Sequence, residues 1–466
     1  MWLNNAKSSL GDYTYVLYPL VNLATIVIIS CRISSLYRVH NWHKVPSPWS
    51  TVIAFGDNYS DSGNAAHITG NKYPSEPWYW HHRFSNGPNW IDNLILDLGG
   101  LGKIKMRNFA HGGASTDNAL WQGSLLGHAM PGMHQQVRGF MLKSRTTGYA
   151  SADKTLYMLW TGANDCLEMA GGAAGRPAGG RKFTVDDVLE SVFQTILQLE
   201  RESHNRATQI VVLTPPPVED SPLVRHGKPE AREEVRRAAE KMARELPHAL
   251  FQRLNKIAPA AITDSSRLGP PNPPAELPKH RRRAAAPITH YITVDLPHDY
   301  AHLDAHEHNG THPVPRPALI PPSGPHHPPV GIHKRSPPAP PSAQGHGARL
   351  RALRPGRLQI MVYDAYHFVK HAAANPHCFG LNPAAASESC GEQRACYDRI
   401  WVDDSNINTA VQYWLARDIN MRLHMWHLHS TGADVNTVFK NSTRAREVEL
   451  EMLGFSCPMH AAPVKF

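Results

Sequence analysis

Phe55-Gly56-Asp57-Asn58-Tyr59-Ser60-Asp61-Ser62-Gly63-Asn64 is the stretch on which the chain turns. It follows Thr51-Val52-Ile53-Ala54, a short β-branched and apolar run of the kind that forms a buried strand. A cluster of Gly, Asp and Asn then ends the strand and turns the chain. A buried strand that empties into a tight polar loop is how open α/β sheets present chemistry, at the C-terminal ends of their strands. An α/β fold with a mostly parallel sheet is therefore expected.

The flanking sequence repeats the alternation. Trp90 to Leu98 predicts a helix with Ile91, Leu94, Ile95 and Leu98 on one face, and Ile104 to Phe109 a strand. Met133 to Ser144 reads as a helix. Thr155-Leu156-Tyr157-Met158-Leu159-Trp160 is nearly all apolar, as a strand covered on both faces must be. Thr184 with Asp187 at the third helical position is a capping pair, followed by Val188, Val192, Phe193, Ile196 and Leu199 at helical spacing. Gln209 to Leu213 is a strand stopped by Pro215-Pro216-Pro217. Pro229 to Leu254 is a charged amphipathic helix with a kink expected before Pro247. Leu358 to Tyr363 is a further strand, and Thr409 to Leu423 a helix with Val411, Trp414, Leu415 and Ile419 inward.

Four polar blocks sit at loops between these elements. They are the opening stretch, Asn108-Phe109-Ala110-His111-Gly112-Gly113-Ala114-Ser115, Gly162-Ala163-Asn164-Asp165, and Trp401-Val402-Asp403-Asp404-Ser405-Asn406-Ile407-Asn408-Thr409. In this order they resemble the blocks of the GDSL (SGNH) hydrolases: F-G-D-S-x-S-D-x-G-N, N-[FY]-A-x-G-G-A, G-x-N-D and, with the last block continued to Gln412, D-x-x-H-P-T-x-x-x-H. Phe84-Ser85-Asn86-Gly87-Pro88-Asn89-Trp90 is similar to a stretch of the fungal acetylesterase-like and plant branches. The resemblance covers Thr51 to Leu423 less one insert. It implies a three-layer α/β/α, flavodoxin-like domain that acts on acyl or acetyl esters, carbohydrate esters among them, without a cofactor.

Several positions depart from the family, the nucleophile and the catalytic histidine among them. The nucleophilic serine falls on Asn58. With Trp401 as anchor the acid falls on Asp403, and the catalytic histidine on Asn406; Asn408 takes the threonine position and Gln412 that of a later histidine. A shift of one residue gives Asp404 and Ile407 instead, so neither register supplies a histidine. An asparagine amide is a poor nucleophile, and it does not shuttle protons near neutrality as imidazole does. The resemblance keeps the oxyanion donors, the Gly113 N–H and Asn164, so the site is expected to bind a carbonyl or acetyl group and scarcely turn it over. The displaced alternatives are Ser60 as nucleophile and His111 as base. The aromatic stretch Pro77-Trp78-Tyr79-Trp80-His81-His82-Arg83 reads equally as pocket mouth or surface loop.

Composition bounds the rest. The 466 residues are 41% hydrophobic, enough for a sizeable core, and the net charge of +9 is modest, lying largely in the insert. No basic helix or aromatic platform accompanies it, which argues against a nucleic-acid partner. The chain divides into an apolar segment and linker (1–50), the first part of the domain (51–264), a Pro/His/Arg-rich insert (265–355), the last part of the domain (356–425) and a tail (426–466). The insert is expected to be disordered and to carry no core. Its His302, His306, His308 and His312 reflect compositional bias, and no metal site is expected.

Tyr13 to Cys31 is an apolar run that reads as a membrane anchor or an uncleaved signal, with a cleaved N-terminus as the alternative. Its basic flank, Arg32, Arg38 and Lys44, favours a cytosolic C-terminal side, against the lumenal side that the other features favour. Sequons at Asn58, Asn309 and Asn441, with the family, point to the secretory pathway, membrane-anchored or extracellular. Of six cysteines, Cys390 and Cys396 bracket a short loop suited to a local disulfide, although spacing does not fix the pairing.

Overall fold

A computed structural model describes residues 47–147, 154–171, 182–202, 208–258, 262–264, 289–296, 356–391 and 396–430. In chain order the elements are β1 (Thr51–Gly56), α1 (Asn64–Ile68), α2 (Trp90–Asp97), β2 (Lys105–Asn108), β3 (Ser124–Leu125), β4 (His128–Ala129), α3 (Met133–Thr147), β5 (Thr155–Trp160), α4 (Ala163–Met169), α5 (Val185–Glu202), β6 (Thr208–Leu213), α6 (Pro222–Arg225), α7 (Pro229–Ile257), β7 (Ile262–Asp264), β8 (Thr289–Leu296), β9 (Gly356–Tyr363), α8 (Ala365–Ala374) and α9 (Thr409–Ser430). Short 3₁₀ turns lie at Trp80–His82, Val218–Asp220 and Pro376–Phe379.

The main sheet has seven strands in the order β2-β1-β5-β6-β9-β8-β7. The pairings from β2 to β9 are parallel, and β8 and β7 join antiparallel. The expected mostly parallel sheet is what forms. β1, β5 and β6 are apolar along nearly their whole length because helices cover both faces. α2 packs on α9 on one side, while α3, α5 and α7 pack in sequence on the other. This is a three-layer α/β/α domain around one core.

The connections fix where a site can form. From β1 the chain moves outward to β2 and then crosses back over β1 to β5, so the strand order reverses at β1. Parallel crossovers are right-handed, and a reversal therefore puts successive helices on opposite faces and opens a crevice at the C-terminal ends of the strands. The loops after β1, β2 and β5 carry Asn58, Gly113 and Asn164 to that crevice.

One expectation is corrected. The segment 265–355 contains β8, which pairs with β9 from Thr289↔Tyr363 to Leu296↔Gly356. Ile292 and Val294 of β8 are buried in the core. The physical reason is a period-two pattern, Ile292 and Val294 inward between Tyr291 and Thr293, hidden by proline- and histidine-rich neighbours. The rest of that segment, the run Tyr13 to Cys31 and residues 431–466 lie outside the described residues. Among the described residues no helix is long and apolar enough to cross a membrane, and no cluster of His, Cys, Asp or Glu could hold a metal ion.

Candidate active site

The loop after β1 is a tight turn in which the Asp57 carbonyl accepts from the N–H groups of Ser60 and Asp61, each at 3.1 Å. The turn leaves Asn58 half-buried and facing the crevice. Asp61 binds this loop to the loop after β2. Its carboxylate accepts from the N–H groups of Gly63 (2.7 Å), Asn64 (2.7 Å), Ala65 (3.0 Å) and Gly112 (2.7 Å). Asn64 adds bonds to the Asn108 and Ala110 carbonyls, and Asn108 returns one to the Ser60 carbonyl. Asp165 does the same for the loop after β5, accepting from Thr116 N–H and Oγ1 and from the Trp121 indole. The acidic and amide residues of the blocks are thus the stitches that hold the loops in register.

Gly113 has φ +77°, and a Cβ there would come within 2.5 Å of the Ser124 carbonyl oxygen, so only glycine fits. That backbone aims the Gly113 N–H into the crevice, 2.8 Å from Asn58 Oδ1. Asn164 Nδ2 donates to the same oxygen at 3.2 Å and to the Ala114 carbonyl at 2.9 Å. Asn58 Nδ2 in turn donates to Asn406 Oδ1 at 3.2 Å, and Asn406 Nδ2 to Asp403 Oδ2 at 2.7 Å. Asn406 is 1% exposed. Asp403 also accepts from the N–H groups of Ser405 and Asn406, both at 2.7 Å, and from the Tyr79 hydroxyl at 2.8 Å.

All five residues singled out in the sequence, Asn58, Gly113, Asn164, Asp403 and Asn406, therefore meet in one hydrogen-bonded chain. Asp403 and Asn406 are the pair that faces Asn58. Asp404 is exposed, and Ile407 is fully buried in the core. The two groups expected to serve as oxyanion donors, the Gly113 N–H and Asn164 Nδ2, both donate to the Asn58 side chain. Carboxamide and serine hydroxyl differ in reach, and the sequence alone does not show that the longer group folds back onto the donors.

The remaining candidates are placed elsewhere. Ser60 is fully buried, its Oγ accepting from the Trp90 indole at 3.1 Å. The His111 ring bonds the Phe109 carbonyl at 2.8 Å through Nδ1, which must carry the proton. Burial holds this imidazole below its ordinary pKa, although the Asp61 carboxylate pulls the other way. Asn408 caps α9 and bonds the Cys396 carbonyl at 2.6 Å, and Gln412 joins the Trp90 N–H to the Ile407 carbonyl. The Phe84–Trp90 stretch docks here as well. Thr409 donates to the Pro88 carbonyl and the Asn86 side chain, and Asn86 donates to the Cys396 carbonyl. Cys390 and Cys396 form a disulfide, and Cys166 is free and buried.

Sequence reasoning missed Tyr79. It sits on a loop whose Trp78 and Trp80 are exposed, while Tyr79 turns inward to Asp403 and bonds the Tyr73 hydroxyl at 2.8 Å. The aromatic stretch 77–83 held the only signal, and it does not say which ring faces in.

The fold is an open α/β sheet with its site loops gathered at the reversal point of the parallel strands. Residues 52–263 match the family model described as GDSL-like Lipase/Acylhydrolase. That stretch carries a GDSL (SGNH) domain, of a family whose members act on ester bonds. Phosphatidylcholine-sterol acyltransferase of Aeromonas hydrophila is 30% identical over 122 residues, 26% of this chain and 33% of that protein. Thermolabile hemolysin of Vibrio parahaemolyticus is 27% identical over 123 residues, 26% of this chain and 27% of that protein. The matched part thus spans about a third or less of these curated relatives. The crystal structure of Est24, a carbohydrate acetylesterase from Sinorhizobium meliloti, covers 44% of this chain and 79% of its own, at 14% identity and a TM-score of 0.26.

Proposed function

We propose that this chain is a GDSL-family protein in which ester hydrolysis has been lost or nearly so, and whose ancestral substrates were acyl or acetyl esters, acetylated carbohydrate included. The observation that carries the reading is the run Asn58–Asn406–Asp403 at the place where the family has its nucleophile, base and acid. Attack on an ester needs an oxygen or sulfur nucleophile and a group to take and return its proton. A carboxamide supplies neither. The neighbours do not replace them: Ser60 is buried against Trp90, and the His111 ring is held by the Phe109 carbonyl. Any acyl ligand entering the crevice has to displace Asn58 Oδ1 from Gly113 and Asn164. We place the protein in the secretory pathway, a reading that rests on its family, its sequons and the Cys390–Cys396 disulfide.

The test is hydrolysis of a short acetyl ester by the purified chain and by its Ser60→Ala and His111→Ala variants. The three should be alike and near background. Turnover by the unmodified chain that either variant abolishes would assign an active esterase using displaced residues.

A further inference from the structure

The hydrogen bonds of the site run in one direction. Gly113 N–H and Asn164 Nδ2 donate to Asn58 Oδ1, Asn58 Nδ2 donates to Asn406 Oδ1, and Asn406 Nδ2 donates to Asp403 Oδ2. Neither end can reverse, because a backbone N–H only donates and a carboxylate only accepts. Each carboxamide between them is therefore held in a single orientation. Asn406 is buried, so water does not stand in for a bond lost there.

We propose that the oxyanion hole of this chain is a carboxamide site whose ligand is built in, the side chain of Asn58. The proposal rests on the reading that hydrolysis is lost and goes further: the hole is closed to acyl groups from outside, and its occupant ties the first, second, third and last blocks together. Position 58 must accept on the face toward Gly113 and donate on the face toward Asn406. A carboxamide does both. A carboxylate of the same shape accepts on both faces and sets oxygen against Asn406 Oδ1. Turning Asn406 over only moves the clash to Asp403.

The isosteric change Asn58→Asp tests this without reference to activity. At pH 8 it should lower the melting temperature by about 5 °C or more, the scale of one or two lost buried bonds in a domain of this size. The deficit should shrink toward pH 5, because the new carboxyl then takes a proton and its O–H donates to Asn406. Asp403 and Tyr79 contact the chain of bonds, Asp57, Asp61, His111 and Asp404 lie on the adjoining loops, and Asp165 lies in the first turn of α4. These groups are common to both proteins, so the difference between them isolates position 58. Adding Asn406→His to Asn58→Asp should recover much of the loss near pH 6, since a protonated imidazole donates to both carboxylates. Recovery of folding by the double change, where Asn58→Asp alone does not fold, supports the proposal equally. It is overturned if Asn58→Asp matches the unmodified chain at pH 8, if its deficit is the same at every pH, or if the double change gives no recovery. Ester hydrolysis by the unmodified chain would sink the functional reading whatever these melting temperatures show.

Discussion

At the scale of single residues the site is built from amides and buried acids with different tasks. Asp61 and Asp165 are buried but fully bonded, and they hold loops. Asp57 is different. It is buried, its Oδ1 accepts from the Tyr59 N–H, and its Oδ2 has no partner among the described residues. Burial pushes its pKa from the ordinary 3.8 up to about 8, with Asp165 adding to the rise and the Tyr59 N–H opposing it. The folded chain thus keeps a proton that the unfolded chain releases around the ordinary value. Between those values the native state binds more protons than the unfolded one, so stability falls as pH rises, by at most about 1.4 kcal/mol per unit. A carboxamide at this position does not titrate, so Asp57→Asn should flatten the decline in stability between pH 5 and 8. Urea unfolding of both proteins at three pH values measures it; equal slopes would contradict the assignment.

Elements were legible where pattern and burial agreed. The runs at Thr155–Trp160 and Thr208–Leu213 form central strands because both faces are covered. Thr184 and Asp187 form their capping pair, with Asp187 Oδ2 accepting from the Thr184 N–H at 2.7 Å. β8 was not legible, because eight residues of alternation amid prolines give a weak signal until a partner strand is known. Its place beside β9 makes it structural. Val294→Asp should therefore destabilise the protein by about 3 kcal/mol or more, the cost of a carboxylate without a partner in the core. A urea midpoint unchanged by Val294→Asp would show that β8 does not pack as described.

At the scale of the whole molecule the site joins positions far apart in the chain. Asn58 and Asn406 are 348 residues apart in sequence and bonded at 3.2 Å. The sheet's reversal at β1 fixes three of the loops, and the docking of Phe84–Trp90 on α9 brings in the last. Which residues converge could be read from the order of the blocks. How they bond could not, because amide direction depends on both ends of the chain of bonds. The central claim is that the scaffold of an esterase persists while its nucleophile and base do not. The most direct measurement is kcat/KM on a short acetyl ester for the unmodified chain, Asn58→Ser, Asn406→His and both together. Only the double variant is expected to rise clearly above the rest, since nucleophile and base act as a unit, and a misplacement of ~1 Å would still limit it ~10²-fold. Either single change matching the double, or robust turnover by the unmodified chain, would contradict the account.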